Sequence, residues 1–421
     1  MTDIDPKEFL IAVFNAAVAA ADPELTIRNH LPARPKGRTI VVGAGKGSAQ
    51  MAAAFEKAWD GPIEGVVVTR YGYAAPCQRL RVLESAHPVP DAAGLAASKI
   101  LLDQVGGLTP DDLVVALVSG GGSALLPSPP NGLTLADEIA VNEALLASGA
   151  PISAMNTVRK HVSAIKGGRL AAAAWPARVV SLVVSDIPGD NPALVASGPT
   201  VPDKGSRADA LGIVAAYGMK LPAAVMVHLN SAAADAPRLD DQRFARNEVQ
   251  VIASAAVSLE AAAAEARKRG VEAVILSDSI EGEARDVGSV HAAIAREIAT
   301  RDRPFNKPAL VLSGGETTVT LRAKGKGGRN SEFLLAFALG IDGVAGIHAL
   351  AADTDGIDGS ENNAGAFADG TTVARMRAAG VDAKAMLAGN NAWTAFNSVG
   401  DLFASGPTGT NVNDLRAILV W

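Results

Sequence analysis

Lys46 stands inside Gly43-Ala44-Gly45-Lys46-Gly47-Ser48, a cation among residues that let the backbone turn freely. Two further corners share the glycine pattern, Ser119-Gly120-Gly121-Gly122-Ser123 and Ser313-Gly314-Gly315-Glu316-Thr317-Thr318. Glycine lets backbone N–H groups approach a ligand closely, and such groups near the start of a helix attract anions. Three such corners, one carrying a lysine, point to a multiply phosphorylated ligand held between two halves of a protein. Taken alone, the Lys46 corner reads equally well as a tight βα turn with an exposed lysine. The run Gly120-Gly121-Gly122 reads as functional, because successive glycines cost backbone entropy that a plain turn would not require.

Arg329 follows Gly325-Lys326-Gly327-Gly328 and opens an apolar run, so Asn330 or Ser331 reads as a helix N-cap with the guanidinium at its mouth. There Arg329 can span two oxygens of a carboxylate or a transferring phosphoryl group, or ride on a solvated hairpin tip. Asp353, Asp355 and Asp358 fall in a long polar loop after an apolar run. They are hard oxygen donors suited to Mg²⁺ beside phosphates, and equally good turn formers. Glu316, next to Thr317, can orient a metal or a hydroxyl, or cap or pair locally. In Ser185-Asp186-Ile187-Pro188-Gly189-Asp190, Asp186 stands where a metal or substrate hydroxyl would meet a strand end, or where a turn needs it, and Asp190 shares that segment.

Familiar fingerprints fail. A P-loop needs Gly-x-x-x-x-Gly-Lys-Ser/Thr and a dinucleotide site Gly-x-Gly-x-x-Gly, and the first corner satisfies neither. No Gly-x-Ser-x-Gly elbow supports a serine hydrolase. The six histidines offer no metal pair at helical i, i+4 spacing. His161 reads as structural, with Lys160, Lys166 and Arg169 forming a cationic wall beside it.

These residues need strands that end at the corners and helices that follow. Runs at 39–42, 65–69, 81–83, 112–118 and 178–185 alternate with helical patterns near 48–58, 91–105, 134–147 and 156–174. That alternation predicts a doubly wound, mostly parallel α/β sheet. A second α/β series is expected from strands at 249–252, 272–276, 309–312, 319–321, 347–351 and 417–420. With 421 residues the chain exceeds the size at which one core keeps growing. We place the domains at 1–235 and 245–421, with either terminal segment able to cross to the other sheet.

Composition narrows the partners. Hydrophobic residues at 48% against 19% charged indicate a packed enzyme rather than a disordered chain. A formal charge of −6 without a basic cluster argues against nucleic acid or a membrane surface and for a small molecule; a homo-oligomer is allowed. One cysteine, Cys77, excludes an internal disulfide and fits a reducing compartment. The acidic start Met1 to Glu8 lacks signal-peptide order and reads as a helix start with Asp5 as N-cap, so a cytoplasmic protein is expected.

Taken together, the Gly43–Gly47 corner, Ala86-His87-Pro88-Val89-Pro90-Asp91, Ser119 to Leu125, Asn156 to Gly168 and Ser185 to Thr200 resemble the N-terminal domain of glycerate 2-kinases. Ser313 to Thr318, Gly327-Gly328-Arg329-Asn330, Asp353-Thr354-Asp355-Gly356 and Thr410-Asn411-Val412-Asn413-Asp414 resemble that family's C-terminal MOFRL domain. The resemblance implies a Rossmann-like domain followed by an α/β MOFRL domain, with the active site in the cleft between them. It implies transfer of the γ-phosphoryl of ATP to the 2-hydroxyl of D-glycerate with Mg²⁺, with Lys46 and Arg329 as catalytic cations. Gly43, Gly45, Gly47, Ser119, Gly120, Gly121, Gly122, Ser123, Asp186, Asp190, Gly314, Gly315, Glu316, Thr317 and Asn330 are then expected to bind ATP or substrate, and Asp353 and Asp355 the metal. Some members carry the label hydroxypyruvate reductase, so a nicotinamide-dependent reductase is the alternative enzyme. A non-catalytic phosphometabolite sensor is the alternative outside enzymes.

Overall fold

The helix Pro6–Ala20 begins as its sequence predicts, with Asp5 accepting from the Lys7 N–H at 2.8 Å. The computed structural model describes residues 5–421, so Met1 to Ile4 of the acidic start lie outside the described residues. The chain forms two compact units, Pro23–Ile252, and Ala253–Trp421 together with that first helix. Phe9, Leu10, Val13, Phe14 and Ala17, at helical spacing, bury against Leu259, Leu310, Leu312 and Leu350. Each fully buried large side chain contributes about 1.5–3 kcal/mol, enough to hold the helix to this sheet.

The unit Pro23–Ile252 carries β1 (Thr39–Ala44), β2 (Glu64–Arg70), β3 (Arg81–Ser85), β4 (Leu113–Ser119), β5 (Arg178–Val184) and β6 (Glu248–Ala253) in the order β3-β2-β1-β4-β5-β6. The pairings of β1 with β2 and β4, of β2 with β3 and of β4 with β5 are parallel. Residues of β1 alternate between the two faces, Ile40, Val42 and Ala44 joining one core and Val41 the other, as a strand covered on both sides requires. Strand order reverses between β1 and β4, the switch point at which open α/β sheets bind ligands. The first and second glycine corners leave the sheet there.

The other unit carries β7 (Glu272–Ser277), β8 (Ala309–Gly315), β9 (Ile347–Asp353), β10 (Gly365–Asp369), β11 (Leu402–Phe403) and β12 (Asp414–Val420) in the order β11-β10-β9-β12-β8-β7. β7 runs parallel to β8, while β12 is antiparallel to both β8 and β9.

Several expectations are corrected. The strand expected at 249–252 to open the second series is β6, at the edge of the first sheet. The strand expected at 319–321 is an irregular segment, with Thr318 in an isolated bridge to Glu283 and Leu321 exposed. The helix expected over 156–174 is two, Ile152–His161 and Arg169–Ala174, because Gly167 and Gly168 both take positive φ between them. Among the described residues no single helix is long and apolar enough to cross a membrane.

Candidate active site

Each unit builds its own cluster. In Pro23–Ile252, β1 ends at Ala44 and Gly45 turns with φ +148°, where a Cβ would stand 2.1 Å from Ser119 Oγ. A Cβ on Gly43 would stand 2.2 Å from Leu117 O, so these glycines let β1 and β4 run close together. The amides of this corner are engaged within the unit. Gly45 N–H donates to Val68 O at 3.1 Å, Lys46 N–H to Gly120 O at 2.8 Å and Gly47 N–H to Ser119 Oγ at 3.0 Å. What the corner presents is the half-buried Lys46 side chain, whose ammonium has no carboxylate partner among the described residues.

The second corner lies under that lysine. Gly121 turns with φ +78°, and a Cβ on it would lie 3.0 Å from Lys46 Cγ and 3.1 Å from His87 Nε2. At Gly120 a Cβ would come within 1.7 Å of Asp186 Oδ2, so glycine makes room for that carboxylate, and at Gly122 within 2.6 Å of Ala196 Cβ. Ser123 Oγ meets Ser197 Oγ at 2.7 Å, and Ser197 Oγ donates to Asn156 Oδ1 at 3.0 Å. Asp190 ends the short turn Pro188–Asp190 with φ +50°. Burial first, with Lys46 and Arg70 nearby, holds His87 below the ordinary histidine range. A cavity of about 230 Å³ brings His87, Gly121, Ser123, Asn156, Arg159 and Asp186 together. A larger depression of about 670 Å³ beside Arg169, Asp235 and Arg243 contains none of the corner residues, and we do not place the site there.

The expected cationic wall is a set of structural pairs instead. Lys160 pairs with Asp203, Lys166 with Glu138 at 2.6 Å, and Arg169 Nη1 donates to the Lys160 carbonyl at 2.6 Å. Each of these cations is engaged within the unit.

In the other unit the register sets Asp414 of β12 opposite both Gly315 of β8 and Asp353 of β9. Arg329, the first residue of the helix Arg329–Gly340, reaches this row. Its Nε lies 2.8 Å from Asp414 Oδ1, its Nη2 2.6 Å from Asp353 Oδ2 and its Nη1 3.6 Å from Glu316 Oε1. Asp414 Oδ1 also accepts from Asn330 Nδ2 at 2.7 Å, while Oδ2 accepts from Arg416 Nη2 at 2.8 Å. Arg416 Nη2 also donates to the buried Thr317 Oγ1 at 3.2 Å, and Nη1 to Gly314 O at 3.2 Å. Gly315 turns with φ +114°, where a Cβ would stand 2.3 Å from Ile280 N.

Asp358, which the sequence allows as metal donor or turn former, caps a helix. Its two oxygens accept the N–H groups of Asn330 at 2.9 Å and Ser331 at 2.8 Å. Gly328, rather than Asn330 or Ser331, is therefore the N-cap residue, and a Cβ on it would stand 2.2 Å from Asp358 Oδ1. The cap comes from a carboxylate distant in sequence, which a local reading of Asn330 and Ser331 cannot find.

The electrostatics are uneven. Burial alone would lower the pKa of Arg329, but Asp414, Asp353 and Glu316 together raise it above the ordinary arginine range. Asp353 is pushed up to about 8, by burial first and by Asp414 and Asp355 besides, against the pull of Arg329. Asp414 is tied by two guanidiniums, so Asp353 is the carboxylate left under-neutralised. Asp355 is half-buried, donates its N–H to Asp353 Oδ1 at 3.1 Å and accepts from the Ile357 N–H at 2.8 Å. Asn330 Oδ1 is buried with no donor. Among the described residues no three His, Cys, Asp or Glu side chains gather to hold a metal. The donors present, Asp353, Asp355 and Asn330 Oδ1, are hard oxygens of the kind a divalent cation takes beside phosphate and water.

Sequence reading passed over Arg416 and gave Arg159 no role. Arg416 had a signal, a single charge inside the otherwise apolar strand Leu415 to Val420. Arg159 had none beyond its type, because its surroundings come from two other segments.

Two family models match successive parts of the chain. A family described as a domain of unknown function, DUF4147, matches residues 9–230, and the MOFRL family matches residues 309–414. An Agrobacterium vitis protein that provisionally bears the name hydroxypyruvate reductase is 52% identical over 99% of this chain and 95% of its own. The D-glycerate 2-kinase of Thermotoga maritima is 37% identical over 97% of each chain. A crystal structure of the glycerate kinase from Thermotoga maritima superposes with a TM-score of 0.91 at 36% identity, covering 99% of both chains.

Proposed function

We propose that this chain, which belongs to the DUF4147–MOFRL family that includes the glycerate kinases, transfers the γ-phosphoryl group of ATP to the 2-hydroxyl of D-glycerate. The observation that carries the reading is Lys46, a cation without a carboxylate partner laid over Gly121 at the switch point of its sheet. Phosphoryl transfer passes through a loose transition state that needs positioning and charge neutralisation more than a strong base. Among the described residues no histidine at the corners pairs with a carboxylate, which is compatible with such chemistry.

Lys46 and Arg329 supply positive charge to the transferring group. Arg329 presents a fork fixed on two sides by Asp353 and Asp414, with Nη1 3.6 Å from the exposed Glu316. Asp186, cleared by Gly120, orients the acceptor hydroxyl and takes its hydrogen bond. Asp353 and Asp355 would hold Mg²⁺, which when bound neutralises phosphate oxygens.

Incubation with ATP, Mg²⁺ and D-glycerate should release ADP in step with 2-phosphoglycerate. Formation of 3-phosphoglycerate would reassign the reacting hydroxyl. No ADP, together with NADH oxidation by hydroxypyruvate, would replace the kinase reading by the reductase one.

A further inference from the structure

Arg159 lies on the helix Ile152–His161 and lines the cavity of about 230 Å³ beside the second glycine corner. Its partners are unusual for a half-buried guanidinium. Nε donates to Asn142 Oδ1 at 2.9 Å and Nη1 to Asn156 Oδ1 at 3.2 Å, both uncharged acceptors. Nη2 has no acceptor among the described residues, and no carboxylate there forms an ion pair with the group. Glu138 is the carboxylate whose field reaches Arg159, but its oxygens are engaged by Lys166 Nζ at 2.6 Å and the Ser128 N–H at 2.9 Å. A cation so placed bears its desolvation with little Coulombic return, a state that an incoming anion relieves.

The fork is also fixed before any ligand arrives. Asn156 Oδ1 takes Ser197 Oγ at 3.0 Å as well as Arg159, and Asn156 Nδ2 donates to Leu194 O at 3.2 Å. Ser197 Oγ in turn meets Ser123 Oγ, so the anchoring amide is tied to the second corner. A cavity of about 230 Å³ falls below the roughly 300–1,000 Å³ of pockets for drug-sized ligands, which favours a short acid over a nucleotide. Its other polar groups, Ser123, His87 and Asp186, are of the kind that bind hydroxyls.

We propose that Arg159 binds the carboxylate of the hydroxy-acid acceptor, holding the molecule so that its hydroxyl end lies toward Asp186 and Lys46. The proposal rests on the kinase reading and deepens it. The cations then act on different ends of the reaction, Arg159 selecting an acid as acceptor while Lys46 and Arg329 serve the phosphoryl group. A planar fork can grip both oxygens of a carboxylate, which lysine cannot do.

The test compares wild type, Arg159→Gln and Arg159→Lys, with D-glycerate and its neutral amide, D-glyceramide, as acceptors. Arg159→Gln should raise the KM for D-glycerate about 10- to 100-fold and leave the KM for ATP unchanged, as loss of one charge-assisted contact predicts. Preference for the acid over the amide should collapse by the same factor, and Arg159→Lys should recover part of it. An unchanged glycerate KM, or a rise in the ATP KM instead, would overturn the assignment. If Arg159→Gln does not fold by circular dichroism, the acid-to-amide preference of Arg159→Lys decides, and wild-type preference there overturns it. Calorimetric titration of D-glycerate without nucleotide separates the two readings. Wild type that binds D-glycerate but does not turn over sinks the kinase reading, while binding retained in Arg159→Gln sinks only the role of Arg159.

Discussion

Arg329 and Asp414 meet at 2.8 Å through Nε and Oδ1, and the same carboxylate is gripped through its other oxygen by the buried Arg416. The guanidinium is thus held by a carboxylate that is itself fixed through both of its oxygens. Lys46 is organised in the opposite way, with its backbone locked and its ammonium without a carboxylate partner among the described residues.

That difference separates two substitutions. Lys46→Ala and Arg329→Ala should each lower kcat by about 10²-fold or more, as loss of transition-state charge stabilisation does. Lys46→Ala should leave unfolding free energy within about 0.5 kcal/mol of wild type. Arg329→Ala leaves Asp353 and Asp414 buried with one cation fewer and should cost about 2–4 kcal/mol. Steady-state kinetics with urea unfolding checks both; equal stability of the two variants would contradict the asymmetry.

Asp358→Ala removes the acceptor of two buried N–H groups at the start of the helix Arg329–Gly340. It should destabilise by about 1–3 kcal/mol, and Asp358→Asn by less. Activity should fall with it, since Arg329 is the first residue of that helix. A thermal melt unchanged by Asp358→Ala would dispose of the capping role.

Gly120→Ala places a methyl group where the Asp186 carboxylate lies. The side chain can swing aside, so the fold should survive while kcat falls at least about tenfold through the displaced carboxylate. Full activity in this variant would remove Asp186 from the reaction.

How much of this was legible in sequence depends on how far each partner lies along the chain. The strand ends at Ala44, Ser119 and Gly315 could be read, because an apolar run followed by glycines is a local signal. β10, Gly365-Ala366-Phe367-Ala368-Asp369, could not, since small residues at its core positions leave no β-type pattern. Asp358 looked like one more loop carboxylate, and only tertiary folding brings it to Asn330. Asn142 and Asn156 gave no hint that they would jointly fix Arg159, because the helices carrying them meet only in the folded unit.

Acid should weaken the fold through His291. Burial, with Arg416 nearby, pushes its pKa down to about 4, against the pull of the Val287 carbonyl. An unfolded histidine titrates near 6.5, so between about pH 6.5 and 4 the unfolded chain binds more protons and stability falls as pH drops. Chemical unfolding at stepped pH should show this slope in wild type and a shallower one in His291→Gln.

Asp353 gives the opposite sign. With its pKa pushed up to about 8, its contribution to stability is lost as pH rises from about 4, where the unfolded carboxyl titrates, to about 8. Mg²⁺ should therefore bind with proton release and with affinity that rises toward pH 8. Calorimetry in buffers of different ionisation enthalpy should detect that proton, and Asp353→Asn should abolish it. Proton release unchanged in Asp353→Asn would place the metal elsewhere.

β12 follows β8 through β11 in the chain yet lies between β8 and β9. During synthesis, the ribosome therefore exposes two strands whose facing edges stay unfilled until residues 414–420 emerge. The same seven residues bring Asp414 and Arg416, so closure of the sheet and fixing of the Arg329 guanidinium occur in one event. A nascent or prematurely terminated chain thus presents two extra open strand edges for chaperones to grip, and acquires its fixed arginine only when that gap is closed.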